Sequence, residues 1–347
     1  MAASARTLRL LNTSAARIRR TTAEVDREMT RRYAAEWSRL SRSLETRLRS
    51  LAKSSKRDWP SRAELRSSKG LQDDLARMAS ALDRLTARSA VLVDGALAEA
   101  LTSAVSEQTD LVASQLPPSW RPGLAEALDP RLAARIEAGR RRARVLLNRI
   151  PGQTAREVRR AVEQPVPPTT VAAMVRAVVE KVRQRFFSGL SRTLTVAGTE
   201  VMDAHRTGAA LGAAAHEDVL SGWIWIARLD ARTCPACLAL HGTVFPLDRP
   251  GPLGHARCRC IRAPKTKSWK ELGFEGFDEP DEPEVLAGEA DKWFWSLPER
   301  DQLRIMGPSR LALLRSGDVG WSDLFVLRKN EGWRDAYTVR PVRDLRR

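Results

Sequence analysis

Cys234-Pro-Ala-Cys237 is followed, 17 residues later, by His255-Ala-Arg-Cys258-Arg-Cys260, and the chain has no other cysteine. This stretch decides how the rest is read. Tetrahedral zinc is held by thiolates and imidazoles, and a C-x2-C turn delivers two thiolates to one ion from a tight loop. His255-x2-Cys258 repeats that spacing and supplies a second pair. The expected ligands are therefore Cys234, Cys237, His255 and Cys258, with Cys260 the rival for the fourth place. Four protein ligands leave no open position for water, so the expected zinc is structural. With the cysteines gathered in one place, scattered disulfide partners are absent, which favours a reducing compartment and a metal site. A redox C-x2-C would need a βαβ context, which the pattern lacks. A zinc deaminase would need His-x-Glu ahead of Pro-Cys-x2-Cys, and His216-Glu217 does not fit.

Outward from the motif the pattern changes character. Upstream, Trp223-Ile224-Trp225-Ile226 is a short β-type run bounded by Gly222 and Asp230. Everything before about residue 218 reads as helix. Over residues 15–55, Ile18, Val25, Met29, Tyr33, Trp37, Leu40, Leu44, Leu48 and Leu51 fall mostly three or four apart, which makes one apolar stripe. Trp59-Pro60 ends this helix, and Ser61 with Glu64 offers a capping box. A second long helix over 71–114 carries Leu71, Leu75, Met78, Leu82 and Leu85 at heptad spacing. The two read as a hairpin within one chain. Asp129-Pro130 predicts a helix start, Pro151-Gly152 a stop, and Thr154 with Glu157 a further capping box. Residues 170–218 read as one or two helices, with Ala- and Gly-rich packing near 208–215.

Downstream, residues 275–291 hold eight acids and read as a solvated linker. The tail 292–347 reads as short helices closed by Gly307 and Gly317. The expected fold class is mainly α. A long N-terminal helical hairpin and a helical bundle precede a small α+β zinc-stapled module and a short helical tail. The expected divisions are a basic hairpin arm at 1–120, a helical region at 121–218 and a zinc module at 219–264. An acidic linker at 265–291 and a helical segment at 292–347 follow.

Composition bounds the function. Of 347 residues, 59 are Lys or Arg and 42 Asp or Glu, a net charge of +17. Such a chain meets polyanions readily, by charge alone and without reading sequence. Residues 1–60 carry 15 basic and 6 acidic side chains. The first 23 residues, with five Arg and no acid, read as a basic helical or disordered arm rather than a transit peptide. No uninterrupted apolar run approaches 18 residues, which argues against a membrane span. No nucleophile triad, phosphate loop or dinucleotide fingerprint is present. His205 reads as a core or surface residue and His241 as a turn residue. Neither an enzyme nor a small-molecule substrate is expected.

The motif has a likeness. Asp230-Ala-Arg232-Thr-Cys234-Pro-Ala-Cys237, Leu240-His241-Gly242, Phe245-Pro246 and Gly254-His255-Ala-Arg-Cys258-Arg-Cys260 resemble the tailed-phage head morphogenesis family typified by protein F of phage Mu. Thr199-Glu200 with Gly208 resembles the helix leading into the family motif. Leu297-Pro298, Leu303, Met306-Gly307-Pro308, Leu313 and Gly317 are similar to the family's C-terminal segment. The resemblance covers about 190–347. It implies a minor head protein associated with the portal vertex, acting in capsid assembly and in DNA packaging or delivery. Implied partners are the portal protein, capsid subunits and DNA through non-specific electrostatics. The implied location is the virion, reached after assembly in the host cytoplasm. The family domain also occurs fused to toxins, but the 83 residues after Pro264 are short for an added catalytic domain. The alternative is a nucleic-acid-binding zinc protein with no virion role.

Overall fold

The structure is a computed structural model that describes residues 4–57, 59–120, 128–167, 169–274, 288–331 and 334–345. It is mainly α, with small antiparallel sheets, as the sequence predicts. Pro122 and the acids from Glu275 to Glu284 lie outside the described residues.

The helices are α1 (Ala5–Ser54), α2 (Arg62–Ser67), α3 (Lys69–Ala113), α4 (Leu128–Leu147), α5 (Ile150–Val162) and α6 (Val171–Ala214). After them come β1 (Leu220–Ile226), α7 (Pro235–Leu240), β2 (Val244–Phe245) and β3 (Ile261–Thr266). The tail contributes α8 (Glu289–Ser296), α9 (Glu299–Met306), α10 (Pro308–Ser316), β4 (Phe325–Arg328), β5 (Ala336–Val339) and α11 (Val342–Leu345). The chain divides into two compact units. One comprises Met1–Arg20, Leu97–Ile136 and Val201–Arg347, the other Thr21–Ala96 and Glu137–Glu200.

The second unit is all helix. Val25, Met29, Tyr33, Leu44 and Leu48 of α1 are buried, as are the five heptad residues of α3. Pairing of Ser43 with Asp74 and of Glu36 with Arg84 makes the two helices antiparallel. Tyr33 meets Phe186 of α6 at 5.6 Å between ring centroids, and its hydroxyl lies 3.3 Å from Thr193 Oγ1. Glu200, fully buried, accepts from Arg142 Nε at 2.8 Å. The Ser61–Glu64 capping box forms: Glu64 N donates to Ser61 Oγ at 3.2 Å, and Ser61 N to Glu64 Oε2 at 2.7 Å.

Some local expectations are corrected. The helix α1 ends at Ser54, as expected to within a residue, but begins at Ala5, well before the expected start at residue 15. The helix α4 begins at Leu128, before the expected cap at Asp129. Pro151 and Gly152 open α5 instead of closing a helix, because the first turn needs no donated N–H from proline. Thr154 then lies buried inside α5 and accepts from Arg192 Nη1 at 3.1 Å, so it caps nothing. By length and composition α3 is apolar enough to cross a membrane, although no uninterrupted apolar run exists. Its side chains at Leu97, Ala100, Leu101 and Ala104 are buried in the first unit.

In that unit α6 runs so close to α3 that side chains have no room. A Cβ on Gly208 would fall 2.2 Å from the Leu101 carbonyl oxygen, and one on Gly212 2.6 Å from that of Val105. The sheet has the order β2-β1-β3, all antiparallel, with Trp225 opposite Arg262 and Trp223 opposite Phe245. The end of α3 holds it in place: Gln115 Nε2 donates to the Pro264 carbonyl at 3.0 Å, and Trp269 Nε1 donates to that of Gln115 at 2.9 Å. The tail adds a β4–β5 hairpin that the sequence reading does not anticipate.

Gly208→Ala or Gly212→Ala is expected to destabilise the chain by about 1–3 kcal/mol through overpacking. Gly95→Ala, whose added Cβ meets nothing within 4 Å, is expected to stabilise by about 0.5–1 kcal/mol. Thermal unfolding of the three variants checks the contrast.

Candidate metal centre

Local chemistry builds the cluster. Cys234 caps the N-terminus of α7, accepting the Cys237 N–H at 3.4 Å, and Pro235 occupies the first helical position. One helical turn therefore sets Cys237 beside Cys234. On the second limb Arg257 adopts φ 58°, the left-handed region, which turns the chain sharply between His255 and Cys258.

The folded chain brings the two limbs together. Cys234 Sγ lies 3.2 Å and Cys237 Sγ 3.5 Å from His255 Nε2. Cys237 Sγ lies 3.7 Å from Cys258 Sγ, too far for a disulfide. Donor atoms of Cys234, Cys237 and His255 lie within 4.8 Å of one another, and so do those of Cys237, Cys258 and Cys260. Cys237 is common to both groups. A tetrahedron with metal–sulfur bonds near 2.3 Å has edges of about 3.8 Å, so these spacings fit a zinc-type donor set. Cys237, Cys258 and Cys260 are buried, and Cys234 is half-buried.

The electrostatics divide the four thiols: Cys234 and Cys258 are lowered, while Cys237, beside the other thiols, and Cys260 are raised. Hydrogen bonding from Cys237 and then His255 holds the Cys234 thiol down at about 5. Its hydrogen bond to Cys234 pushes His255 up to about 9. Cys258 is pulled well down by hydrogen bonds from Cys237 and Cys260 and by the charge on Arg206. Burial and the neighbouring Cys258 push Cys260 up.

The sequence reading missed Arg206. Near the end of α6 its guanidinium is buried, donating from Nε to the Cys260 carbonyl at 2.9 Å and from Nη2 to that of Cys258 at 3.0 Å. An arginine on a helix face has no local signal that separates this role from a solvated one. Around the loop, Asp230 accepts both guanidinium nitrogens of Arg259, at 2.6 and 2.7 Å, and pairs with Arg228 at 2.6 Å. Arg259 and its neighbours hold that carboxyl well below the usual range. Arg262 is buried over the Trp223 ring, 4.8 Å from its centroid, and burial lowers its guanidinium to about 10.

His241 is a latch between segments. Its Nδ1 accepts the Ala227 N–H at 3.0 Å, which leaves Nε2 to donate to Glu289 Oε2 at 3.1 Å, at the start of α8. It stands outside both donor groups. His205 Nε2 is buried 3.1 Å from Ser14 Oγ and 3.5 Å from Glu107 Oε2, a contact between helices. The tail packs directly on the cluster. Leu238 of α7 lies in one core with Phe294, Ile305, Met306, Leu311 and Leu324, while Cys237, next in sequence, shares another with Tyr337. Tyr337 N donates to the Leu253 carbonyl at 2.8 Å, two residues before His255.

The long helices lead into a small α+β module closed round a cysteine–histidine cluster whose donors could hold a metal ion. Residues 152–263 match the family model described as Phage Mu protein F like protein, a similarity that covers about a third of the chain. The match takes in α5, α6 and both limbs of the cluster, begins earlier than the resemblance read from sequence, and stops before the tail. No curated protein and no solved structure matches the chain.

Asp230→Asn leaves Arg228 and Arg259 without their shared counter-ion. The carboxyl is depressed in the fold, so its stabilising effect is complete above its unfolded value of about 3.9 and is lost as pH falls below that. The variant is expected to be less stable at neutral pH and to show a flatter acid limb, read by denaturant unfolding from neutral to acid pH.

Proposed function

We propose that the chain is a head-morphogenesis protein of a tailed phage, a minor head component at the portal vertex that is stapled by structural zinc. The supporting observation is the coincidence of the family match at 152–263 with the two limbs of the cysteine–histidine cluster. Zinc bound by Cys234, Cys237, His255 and Cys258 would supply a rigid cross-link between α7 and the loop before β3. The strands are short and α7 is six residues long, so little local structure holds the module without such a cross-link. Cys260 is the alternative fourth ligand.

The module at 219–264, with the helix before it, presents a fixed surface to the portal or to capsid subunits. The arm at 1–120 serves DNA. Arg6, Arg9, Arg20, Arg27, Arg39 and Arg42 of α1 are exposed, and phosphate contacts by such a face are sequence-independent. The acidic linker at 265–291 and the segment 292–347 complete the divisions we propose. The protein acts without catalysis, during assembly and in packaging or delivery of DNA, and resides in the virion. The net charge of +17 supports the second reading, a nucleic-acid-binding zinc protein outside the virion.

Mass spectrometry of gradient-purified procapsids and mature virions, quantified against the portal subunit, separates the readings. A fixed ratio to portal in either particle is expected. Absence from both, with steep salt dependence of DNA binding, would establish the second. Cys258→Ser is expected to lower the zinc content of the purified chain and to reduce infectivity. Normal zinc in that variant would move Cys260 into the site.

A further inference from the structure

We propose that Arg206 is the positioning residue of the metal centre: its guanidinium fixes the Cys258-Arg259-Cys260 backbone from α6 and balances the charge of the bound thiolates. This rests on the reading that the cluster binds zinc. The guanidinium spans two carbonyls that flank Arg259, with Nε on Cys260 and Nη2 on Cys258. A planar fork makes both bonds from two nitrogens in a fixed geometry, which the single nitrogen of an ammonium does not reproduce. The same group packs against the loop carrying His255. A Cβ on Gly254 would lie 2.9 Å from Arg206 Nη1 and 2.6 Å from Cys258 Sγ, so glycine lets the guanidinium and the thiol crowd together there.

The charge argument is independent of the hydrogen bonds. Arg206 is 4% exposed, and a buried charge is costly unless paired. Among the described residues no carboxylate lies within ion-pair distance of it. Asp203, the nearest acid on its helix, is paired with Arg334 at 2.7 Å. The negative groups acting on the guanidinium are Cys258 and Cys260 first, then Asp203, then Cys237. Three thiolates and one imidazole on a divalent zinc leave a net charge of about −1, which offsets one guanidinium. Partners of this kind typically change metal affinity by about 10- to 100-fold when removed.

The test uses the full chain and zinc itself. Zinc affinity is measured by competition with a chromophoric chelator for the wild type, Arg206→Lys, Arg206→Gln and the exposed control Arg232→Gln. Cobalt(II) spectra of the same proteins report ligand-field geometry. Expected results are loss of affinity by about 10- to 100-fold for Arg206→Gln, a smaller loss for Arg206→Lys, shifted cobalt bands in both, and no change in the control. If Arg206→Gln does not fold, the zinc-dependent rise in melting temperature of Arg206→Lys decides, and a rise equal to that of the wild type overturns the proposal. A wild type that binds zinc, with Arg206 variants of unchanged affinity and cobalt spectra, also overturns it. A wild type that binds no zinc removes the metal reading and this proposal with it, an outcome distinct from the others.

Discussion

Convergence of two short loops on Cys237 is the constraint from which the C-terminal half follows. Its thiol belongs to both donor groups, and its neighbours serve different cores. Leu238 and Leu240 project from the same six-residue helix, Leu238 toward the tail cluster and Leu240 toward the aromatic cluster of Trp223 and Trp225. A helix that short has almost no stability of its own. It exists because its N-terminus is capped by Cys234 and both its faces are covered. The fixed thiols, the aromatic core and the tail are therefore aspects of one packing solution.

The helices supply what the module lacks. Gln115 at the end of α3 meets Pro264 and Thr266 of β3, and Arg206 of α6 meets Cys258 and Cys260. Gln115 donates to the Pro264 carbonyl and accepts the Thr266 N–H, while Arg206 donates to two carbonyls, so both attachments join a long side chain to backbone groups. They fix position without needing a large apolar face. Where α3 and α6 touch directly, glycine permits backbone-to-backbone approach at Gly208 and Gly212. Polar ties between helices satisfy buried groups: Glu200 is met by the exposed Arg142, and Tyr33 by Thr193. Such groups specify which helix faces meet, because a mismatched register would strand them.

The arginines divide into two kinds. Those on α1 such as Arg27 and Arg39 are exposed, and their charge is available to a polyanion. Those around the cluster are committed: Arg259 and Arg228 to Asp230, Arg206 to two carbonyls, Arg262 to the Trp223 ring. Net charge alone overstates the basic surface of the module, because these groups are spent on internal contacts.

Local spacing alone is enough to read the long helices, the β-type run at 223–226 and the cysteines and histidine that the fold gathers into one cluster. Each is written in local spacing: three-and-four steps for a helical stripe, apolar clustering for the strand, x2 intervals for paired ligands. It misread Pro151-Gly152 and Thr154, because the same residues open, close or fill a helix according to what packs on them. It passed over Phe325–Arg328 and Ala336–Val339, strands too short to carry a period. It gave Arg206 no distinction from dozens of other basic residues. Tertiary structure alone decided that Arg206 lies beneath Cys258 and Cys260, that His241 faces Glu289, and that the tail closes over α7. Those contacts join residues about 50 to 100 positions apart, and what selects them is burial of charge, polar groups and apolar side chains, which depends on the whole fold and not on neighbours in sequence.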